Sequence, residues 1–278
     1  MRFTKMHGIG NDYIYVNCFE ETVQDPGPLA VRLSDRHFGI GGDGLILICP
    51  DPEADARMEM YNADGSRGAM CGNGVRCVAK YVFDHGIAHK SVLRIATDAG
   101  VKIIHVAGEK DGKAVLLTVN MGEAHIVSRG CEGRPASELD PGDVWEPIEI
   151  SGRTFQMIAV DVGNPHAVVL WKDLERLRIT DVGPQFENHE RFPDRTNTEF
   201  VEVKDDHRIR MRVWERGSGE TLACGTGACA AALACVCAGL VKFPVTVELL
   251  GGELKIEKTD LGEILMTGEA AEVFTGEV

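Results

Sequence analysis

Two cysteine-containing turns in the sequence have the residue types and spacing for acid–base chemistry. Cys71-Gly72-Asn73-Gly74 recurs 153 residues later as Cys224-Gly225-Thr226-Gly227. A helix-like run follows each turn, so each cysteine is predicted at a helix N-terminus, where the macrodipole and free backbone N–H groups favour a thiolate. The neighbouring glycines allow a substrate to approach the backbone, and the N–H groups there can bind a carboxylate.

Two such turns facing each other would place two thiols on opposite sides of one bound anion. One thiolate would remove the α-hydrogen from one face, and the opposite thiol would return a proton to the other. The two helix N-termini would stabilise the charge that develops on the carboxylate. This chemistry inverts a stereocentre without pyridoxal phosphate, so no cofactor is expected.

The repeat extends beyond the two turns. At the same offset, the following pairs align: Gly10-Asn11 with Gly163-Asn164, Gly44 with Asn197, Tyr61-Asn62 with Trp214-Glu215, and Gly86 with Gly239. Several matches at one unshifted offset predict an internal duplication. The expected fold is mixed α/β (α+β), with two pseudo-symmetric domains that are each a curved β-sheet or barrel around a central helix.

The pattern of apolar residues predicts which segments build these units. Short apolar or alternating runs predict strands at 45–48, 115–119, 167–170, 209–214 and 264–266. Apolar residues with helical spacing between Val75 and Phe83 predict a helix that ends at Gly86. The run 228–238 is apolar on every side, which indicates a buried helix surrounded by strands. Residues 128–147 are predicted to be a loop, shortly after a domain boundary near Met121.

Composition excludes several classes of protein. The chain has 278 residues, enough for about two domains, and a net charge of −14. So acidic a chain argues against a nucleic-acid partner and against an anionic membrane surface. The sequence has no signal-like start and no apolar run of the length that spans a membrane, so a cytoplasmic protein is expected.

The nine cysteines are expected to be reduced in that compartment. No Cys-x2-Cys pair or His-Glu-x-x-His motif is present, and therefore no metal site is predicted. The segment 39–44 fits G-x-G-x-x-G but lacks a strand before it and a helix after it, which argues against dinucleotide binding.

Seven segments taken in order resemble the diaminopimelate epimerase family, pyridoxal-independent isomerases of the lysine and cell-wall pathway. These segments are 7–12, 61–66, 70–77, 163–166, 195–197, 215–221 and 223–227. The resemblance covers nearly the whole chain. It implies a small-molecule amino-acid substrate, usually a homodimer, and an active site in the cleft between two halves. One half is 1–121 plus 269–278, and the other is 122–268.

The resemblance also implies roles for individual residues. Cys71 and Cys224 match the acid/base pair, and His166 and Glu215 match residues that tune their ionisation. Arg216 would bind the distal carboxylate of the substrate and Glu215 its ammonium group. Positions matching the other substrate contacts are Asn11, Asn62, Gly72, Asn73, Asn164, Asn197, Gly225 and Thr226. Gly44 stands where some members carry Gln, and we leave it out of the expected site.

Two other functions fit parts of the sequence. A proline or hydroxyproline racemase would use a similar fold and thiol pair, but a cyclic substrate has no distal amino acid for Glu215 and Arg216 to bind. A thiol-rich binding or redox-sensing protein would need no turnover. If the two thiols share one α-carbon, a Cys71–Cys224 disulfide is also expected under mild oxidation.

Overall fold

The computed structural model describes all 278 residues and divides them into two compact units. The first unit contains Met1–Asn120 and Thr267–Val278, and the second contains Met121–Met266. None of the helices combines the length and the apolar character that a membrane-spanning helix requires.

Four α-helices and 19 strands, numbered in chain order, form the two units. The helices are α1 (Pro26–Ser34), α2 (Gly72–Asp84), α3 (Ile179–Glu187) and α4 (Gly225–Cys237), with 3-10 turns at Ala136–Glu138 and Leu174–Arg176. The strands up to the 3-10 turn at 136 are β1 (Arg2–Gly8), β2 (Asn11–Asn17), β3 (Gly44–Cys49), β4 (Ala56–Asn62), β5 (Arg67–Gly68), β6 (Val92–Thr97), β7 (Gly100–Lys110), β8 (Lys113–Glu123) and β9 (His125–Ile126). The remaining strands are β10 (Glu146–Ile150), β11 (Arg153–Asp161), β12 (Pro165–Leu170), β13 (Asn197–Asp205), β14 (Arg208–Glu215), β15 (Gly219–Thr221), β16 (Val245–Leu249), β17 (Gly252–Lys258), β18 (Glu263–Glu269) and β19 (Ala271–Glu277).

Successive strand pairings in the first unit alternate between antiparallel and parallel. From β1 to β7 the pairings are β1–β2 antiparallel, β2–β3 parallel, β3–β4 antiparallel, β4–β6 parallel and β6–β7 antiparallel. The C-terminal strand β19 extends this order by pairing antiparallel with β1. Along the chain α1 lies between β2 and β3, and α2 lies between β5 and β6.

The second unit repeats this topology. Its pairings are β11–β12 antiparallel, β12–β13 parallel, β13–β14 antiparallel, β14–β16 parallel and β16–β17 antiparallel. The helices correspond residue for residue at the offset of 153: α3 aligns with α1, both nine residues long, and α4 with α2, both 13 residues long. The internal duplication and the mixed α/β fold are therefore confirmed.

Each unit has a buried helix surrounded by its own strands. All residues of α2 from Gly72 to Phe83 are buried, and α2 contacts β1, β2, β4 and β6. The apolar helix α4 is buried along most of its length and contacts six strands, β11, β12, β13, β14, β16 and β17. The helical spacing in α2 indicates only one apolar face, but its polar face is buried as well. Lys80 there is neutralised by Asp84 at 2.7 Å.

All five predicted strands lie within observed ones, namely β3, β8, β12, β14 and β18. Both predicted helices are present as α2 and α4. Residues 128–147 are mostly irregular, with one 3-10 turn and the start of β10.

Candidate active site

Cys71 is the N-cap residue of α2. Its backbone is extended, with φ −130° and ψ 122°, and its Sγ accepts a hydrogen bond from the Gly74 N–H at 3.3 Å. The Cys71 carbonyl accepts the first backbone bond of the helix from Val75 at 2.8 Å. The sulfur is therefore held against the free N–H groups of the first helical turn.

Cys224 occupies the same position on α4. It has φ −120° and ψ 112°, its Sγ accepts from the Gly227 N–H at 3.4 Å, and its carbonyl accepts from Ala228 at 3.0 Å. The two turns thus share their capping geometry, as the repeated Cys-Gly-x-Gly sequence predicts.

Asn11 and Asn73 lie at the Cys71 turn. The Cys71 thiol donates to Oδ1 of Asn11 at 3.2 Å, and Nδ2 of Asn11 donates to the Asp43 carboxylate at 2.7 Å. Asn73 is buried in the first turn of α2, where its Oδ1 accepts from the Arg76 guanidinium at 2.9 Å. Asp43 thereby orients the amide that faces the thiol.

A chain of polar side chains leads to the Cys224 turn. The sulfur lies 3.6 Å from the Thr226 hydroxyl, which accepts from Nδ2 of Asn164 at 3.4 Å. The Asn164 Oδ1 contacts Nε2 of His166 at 3.0 Å, and Nδ1 of His166 contacts the Glu199 carboxylate at 2.7 Å. Three of the residues expected at the site, Asn164, His166 and Thr226, are thus joined to Cys224.

Burial and negative charge act against ionisation of Cys224. The thiol is 5% exposed, and burial raises its pKa well above the usual value, with the Glu215 and Glu199 carboxylates raising it further. Hydrogen bonds from Thr226 and the Gly227 N–H lower the pKa but do not offset these effects. The helix N-terminus alone predicts a lowered pKa, so at Cys224 burial and the neighbouring carboxylates dominate.

Glu215 is a second acid with an altered ionisation. Burial raises the pKa of its carboxyl group, while hydrogen bonds from Thr221 and Cys224 and the charge of His166 lower it. Glu215 ends β14, and its carboxylate accepts from the Thr221 hydroxyl.

Three more residues expected to bind the substrate are Asn62, Asn197 and Arg216. Asn62, at the end of β4, donates to the Ser66 hydroxyl at 2.9 Å. Asn197 donates to the Pro165 carbonyl and accepts from the Arg216 backbone N–H, both at 3.0 Å, so its amide positions the Arg216 segment. The Arg216 side chain is exposed, and its guanidinium donates to the Asp194 carbonyl at 2.9 Å.

Comparison with known proteins identifies the family of this chain. The family model for diaminopimelate epimerase matches residues 3–127 and 158–273. The chain is 52% identical to the diaminopimelate epimerase of Acetivibrio thermocellus, covering 100% of this chain and 98% of the relative. It is 51% identical to that of Desulfovibrio desulfuricans, with the same coverage. The chain belongs to the diaminopimelate epimerase family.

Solved structures with little sequence identity to this chain share its fold. A PhzF-family phenazine biosynthesis protein from Bacillus anthracis superposes with a TM-score of 0.71 at 16% identity, covering 100% of this chain and 98% of that one. A hydroxyproline epimerase from Agrobacterium vitis gives 0.69 at 16% identity, covering 99% and 91%. These similarities concern the fold alone, and the family resemblance read from the motifs is confirmed by the closer relatives.

Two carboxylates next to the expected site residues are not identified by the sequence motifs. Asp43 anchors Asn11, and Glu199 contacts His166. The only sequence signal for Glu199 is an acidic residue next to the apolar run Phe200-Val201 on β13. Gly44 has no room for a side chain, because a Cβ there would lie 2.2 Å from the Tyr61 carbonyl oxygen.

Proposed function

We propose that this chain interconverts LL- and meso-2,6-diaminopimelate without a cofactor, by moving a proton between Cys71 and Cys224 across one α-carbon. The observation that carries this proposal is the pair of cysteine-capped helix N-termini at equivalent positions of a duplicated fold. Membership of the diaminopimelate epimerase family supports the substrate.

The proposed reaction is balanced and involves no redox change. One thiolate removes the α-hydrogen, so a C–H bond breaks, an S–H bond forms, and the electron pair spreads onto the carboxylate. The other thiol then protonates the opposite face of the carbon and becomes the thiolate. Backbone N–H groups of Gly72, Asn73, Gly225 and Thr226 would bind the carboxylate on which the charge develops.

We assign the distal amino acid of the substrate to Glu215 and Arg216. The guanidinium would bind the distal carboxylate in a bidentate fork, and the Glu215 carboxylate would accept from the ammonium group. The side chains assigned to the other substrate contacts are Asn11, Asn62, Asn164 and Asn197. His166 and Glu215 would make the two thiols unequal, so that one starts as base and the other as acid.

We further propose the arrangement that this chemistry requires. Residues 1–121 with 269–278 would form one catalytic half and 122–268 the other, with the substrate in the cleft between them. A homodimer in the cytoplasm that binds no nucleic acid is the proposed state of the enzyme.

A proline or hydroxyproline racemase is the alternative function. The hydroxyproline epimerase from Agrobacterium vitis shares the fold, but its identity to this chain is only 16%. The relatives from Acetivibrio thermocellus, Desulfovibrio desulfuricans and Agathobacter rectalis, each about half identical to this chain, are diaminopimelate epimerases. No observation on this chain favours the alternative.

The experiment is turnover of LL-diaminopimelate in D2O, with deuterium at the α-carbon followed by NMR. We expect conversion to the meso isomer by the native chain and no reaction with proline. Cys71→Ala and Cys224→Ala should each lose about 10²- to 10⁴-fold in rate, the usual contribution of a general acid or base. Cys237→Ser, at the far end of α4, is the matched control and should retain the native rate. Full activity of either alanine variant would refute the two-thiol mechanism.

A further inference from the structure

Glu199 and His166 form a fully buried contact that the family motifs leave unexplained. Both side chains are 0% exposed, and the Oε1 of Glu199 lies 2.7 Å from the Nδ1 of His166. The other carboxylate oxygen, Oε2, is buried without a hydrogen-bond partner. A buried carboxylate with one unsatisfied oxygen destabilises a fold, so its presence calls for a reason other than stability.

The first unit shows that the fold does not need this pair. At the offset of 153, Tyr13 and Ile46 stand where His166 and Glu199 stand, and both are buried. The packing is equivalent: a Cβ on Gly74 would lie 2.8 Å from the Ile46 side chain, and one on Gly227 would lie 2.6 Å from the Glu199 Oε1. An apolar residue therefore fills the same space in one copy and a carboxylate fills it in the other.

The contacts of the His166 ring determine where its protons are. Nδ1 faces a carboxylate oxygen of Glu199, and Nε2 faces the Oδ1 of Asn164 at 3.0 Å. The Asn164 amide is oriented by its other end, because Nδ2 donates to the Thr226 hydroxyl. With Glu199 ionised, both oxygens that face the ring are acceptors, so each ring nitrogen is placed to donate a hydrogen bond.

We propose that Glu199 is a positioning residue for the epimerase reaction: it holds His166 doubly protonated and thereby turns the Asn164 amide so that its NH2 group faces the Cys224 turn. This inference rests on the proposed function, because it gives Asn164 and Cys224 their roles. A neutral amide in place of the Glu199 carboxylate would no longer require a proton on both ring nitrogens of His166. Its Nε2 could then accept, and the Asn164 amide would no longer be held in one orientation.

The equivalent amide in the first unit has the opposite orientation. There Nδ2 of Asn11 donates to Asp43, and Oδ1 faces the Cys71 thiol. In the second unit Oδ1 of Asn164 is turned to His166, and Nδ2 faces Thr226 next to Cys224. One thiol therefore meets an acceptor amide atom, and the other turn meets a donor. Asp43 in the first unit, and Glu199 acting through His166 in the second, hold the two amides in these opposite orientations.

The test compares Glu199→Gln, which keeps the shape and removes the charge, with Glu199→Asp, which keeps the charge at shorter reach. We expect Gln to lower kcat by about 10- to 100-fold, the effect seen for carboxylates that orient metal-binding histidines, and Asp to retain more activity than Gln. Glu146→Gln is the matched control: Glu146 is also buried in this unit, but it pairs with Arg191 at 2.7 Å. This control should retain the native kcat.

Two readouts separate positioning from mere packing. In ¹⁵N spectra of histidine-labelled protein at neutral pH, native His166, assigned with His166→Gln, should show two protonated ring nitrogens, and Glu199→Gln should show one. The pH profile of kcat/KM should move its alkaline limb to lower pH in Glu199→Gln. The titratable groups that face Glu199 are His166 on β12, Glu215 on β14 and Cys224 on α4, and removal of the Glu199 charge lowers the pKa of the Cys224 thiol.

The outcomes are distinguishable from those for the proposed function. If the native chain does not epimerise LL-diaminopimelate, the proposed function fails, while the ¹⁵N spectra still test the pairing of Glu199 with His166. A native His166 with one protonated nitrogen would overturn the inference. So would a Glu199→Gln variant with native kcat and pH profile, or one more active than Glu199→Asp.

Discussion

The two repeated turns give their cysteines the same backbone but different neighbours. The Cys71 thiol is half-buried and donates to the Asn11 amide, whereas Cys224 is buried and lies near the carboxylates of Glu215 and Glu199. At the offset of 153, Glu215 corresponds to Asn62 in the first unit. Burial, with the carboxylates of Glu215 and Glu199 adding to it, therefore raises the pKa of Cys224 despite the shared helix N-terminus.

The first prediction concerns Glu215 and the ionisation of Cys224. The Glu215 carboxylate raises the pKa of the Cys224 thiol, so its loss in Glu215→Gln should lower that pKa. At a fixed pH near 8 the variant should hold more thiolate and should react faster with iodoacetamide, because the thiolate is the nucleophile. The rate of Cys224 labelling in the substrate-free protein, measured by mass spectrometry from pH 6 to 10, checks this. Equal or slower labelling in the variant would contradict it.

The second prediction concerns a thiol pair outside the two turns. Cys18 and Cys49 follow the paired residues Asn17 and Ile48 of the parallel strands β2 and β3. A hydrogen bond from Cys49 lowers the pKa of Cys18, whereas burial raises the pKa of Cys77 to about 11. Iodoacetamide at pH 8 should therefore label Cys18 long before Cys77.

Cys49→Ala provides the internal control for this prediction. It removes the hydrogen bond that favours the Cys18 thiolate, so labelling of Cys18 should slow in the variant while Cys77 stays unlabelled. An unchanged rate for Cys18 would show that the neighbouring thiol has no influence on it.

Local geometry decides how much of the site is readable from the sequence. The placement of Cys71 and Cys224 at helix N-caps was predictable, since capping depends on a few consecutive residues. The contact of Glu199 with His166 was not, because it depends on how β12 and β13 pair in parallel, which sets Val168 opposite Glu199. The direction of the Cys224 pKa depends on the same tertiary contacts.

At the scale of elements, the strands around Gly44 lie too close together to leave room for a side chain at this position. Gly44 starts β3 and pairs with Asn62 of β4, and a Cβ there would lie 2.2 Å from the Tyr61 carbonyl oxygen and 2.9 Å from the Tyr13 ring. Backbone cannot move aside as the end of a flexible side chain can. A side chain at this position would therefore require the two strands to separate locally.

The third prediction follows for Gly44→Ala. We expect the free energy of unfolding to fall by about 3 kcal/mol, the upper part of the range for overpacked sites. Urea unfolding followed by circular dichroism checks this. Gly142→Ala is the matched control, because a Cβ there meets nothing within 4 Å, and it should unfold at the native urea concentration. A Gly44→Ala variant as stable as the control would disprove the steric argument.

The pattern of apolar residues did not predict helices α1 and α3. Each is nine residues long, α1 contains Pro26, Gly27 and Pro28, and α3 contains Pro184. Such residues disfavour a helix, so packing must stabilise both segments. In α3 the packing explains the glycine, since a Cβ on Gly183 would lie 2.4 Å from the Trp214 ring. The longer helices α2 and α4 carry an unbroken apolar pattern and were predictable.

At the scale of the whole molecule, the two ends of the chain meet in the first unit. Strand β19 pairs antiparallel with β1, with Arg2 opposite Glu277, and the Met1 ammonium group donates to the Val278 carbonyl at 2.7 Å. The first unit is thus assembled from both ends of the chain, while the second is continuous from Met121 to Met266. A short loop between the ends would turn β19 and β1 into a hairpin.

The fourth prediction is that a circular permutant keeps the fold and the activity. Joining Val278 to Met1 through about three residues, a normal hairpin length, and opening the chain between Glu132 and Gly133 makes the first unit continuous. The opening lies in an exposed turn with no strand pairing, where new termini are best tolerated. We expect native-like urea unfolding and turnover of LL-diaminopimelate. Opening the chain between Ala231 and Ala232 instead breaks the buried helix α4 and should abolish folding. Failure of the permutant opened at the exposed turn to fold would contradict this prediction. It would show that the first unit needs the native chain order of β19 and β1 as well as their pairing.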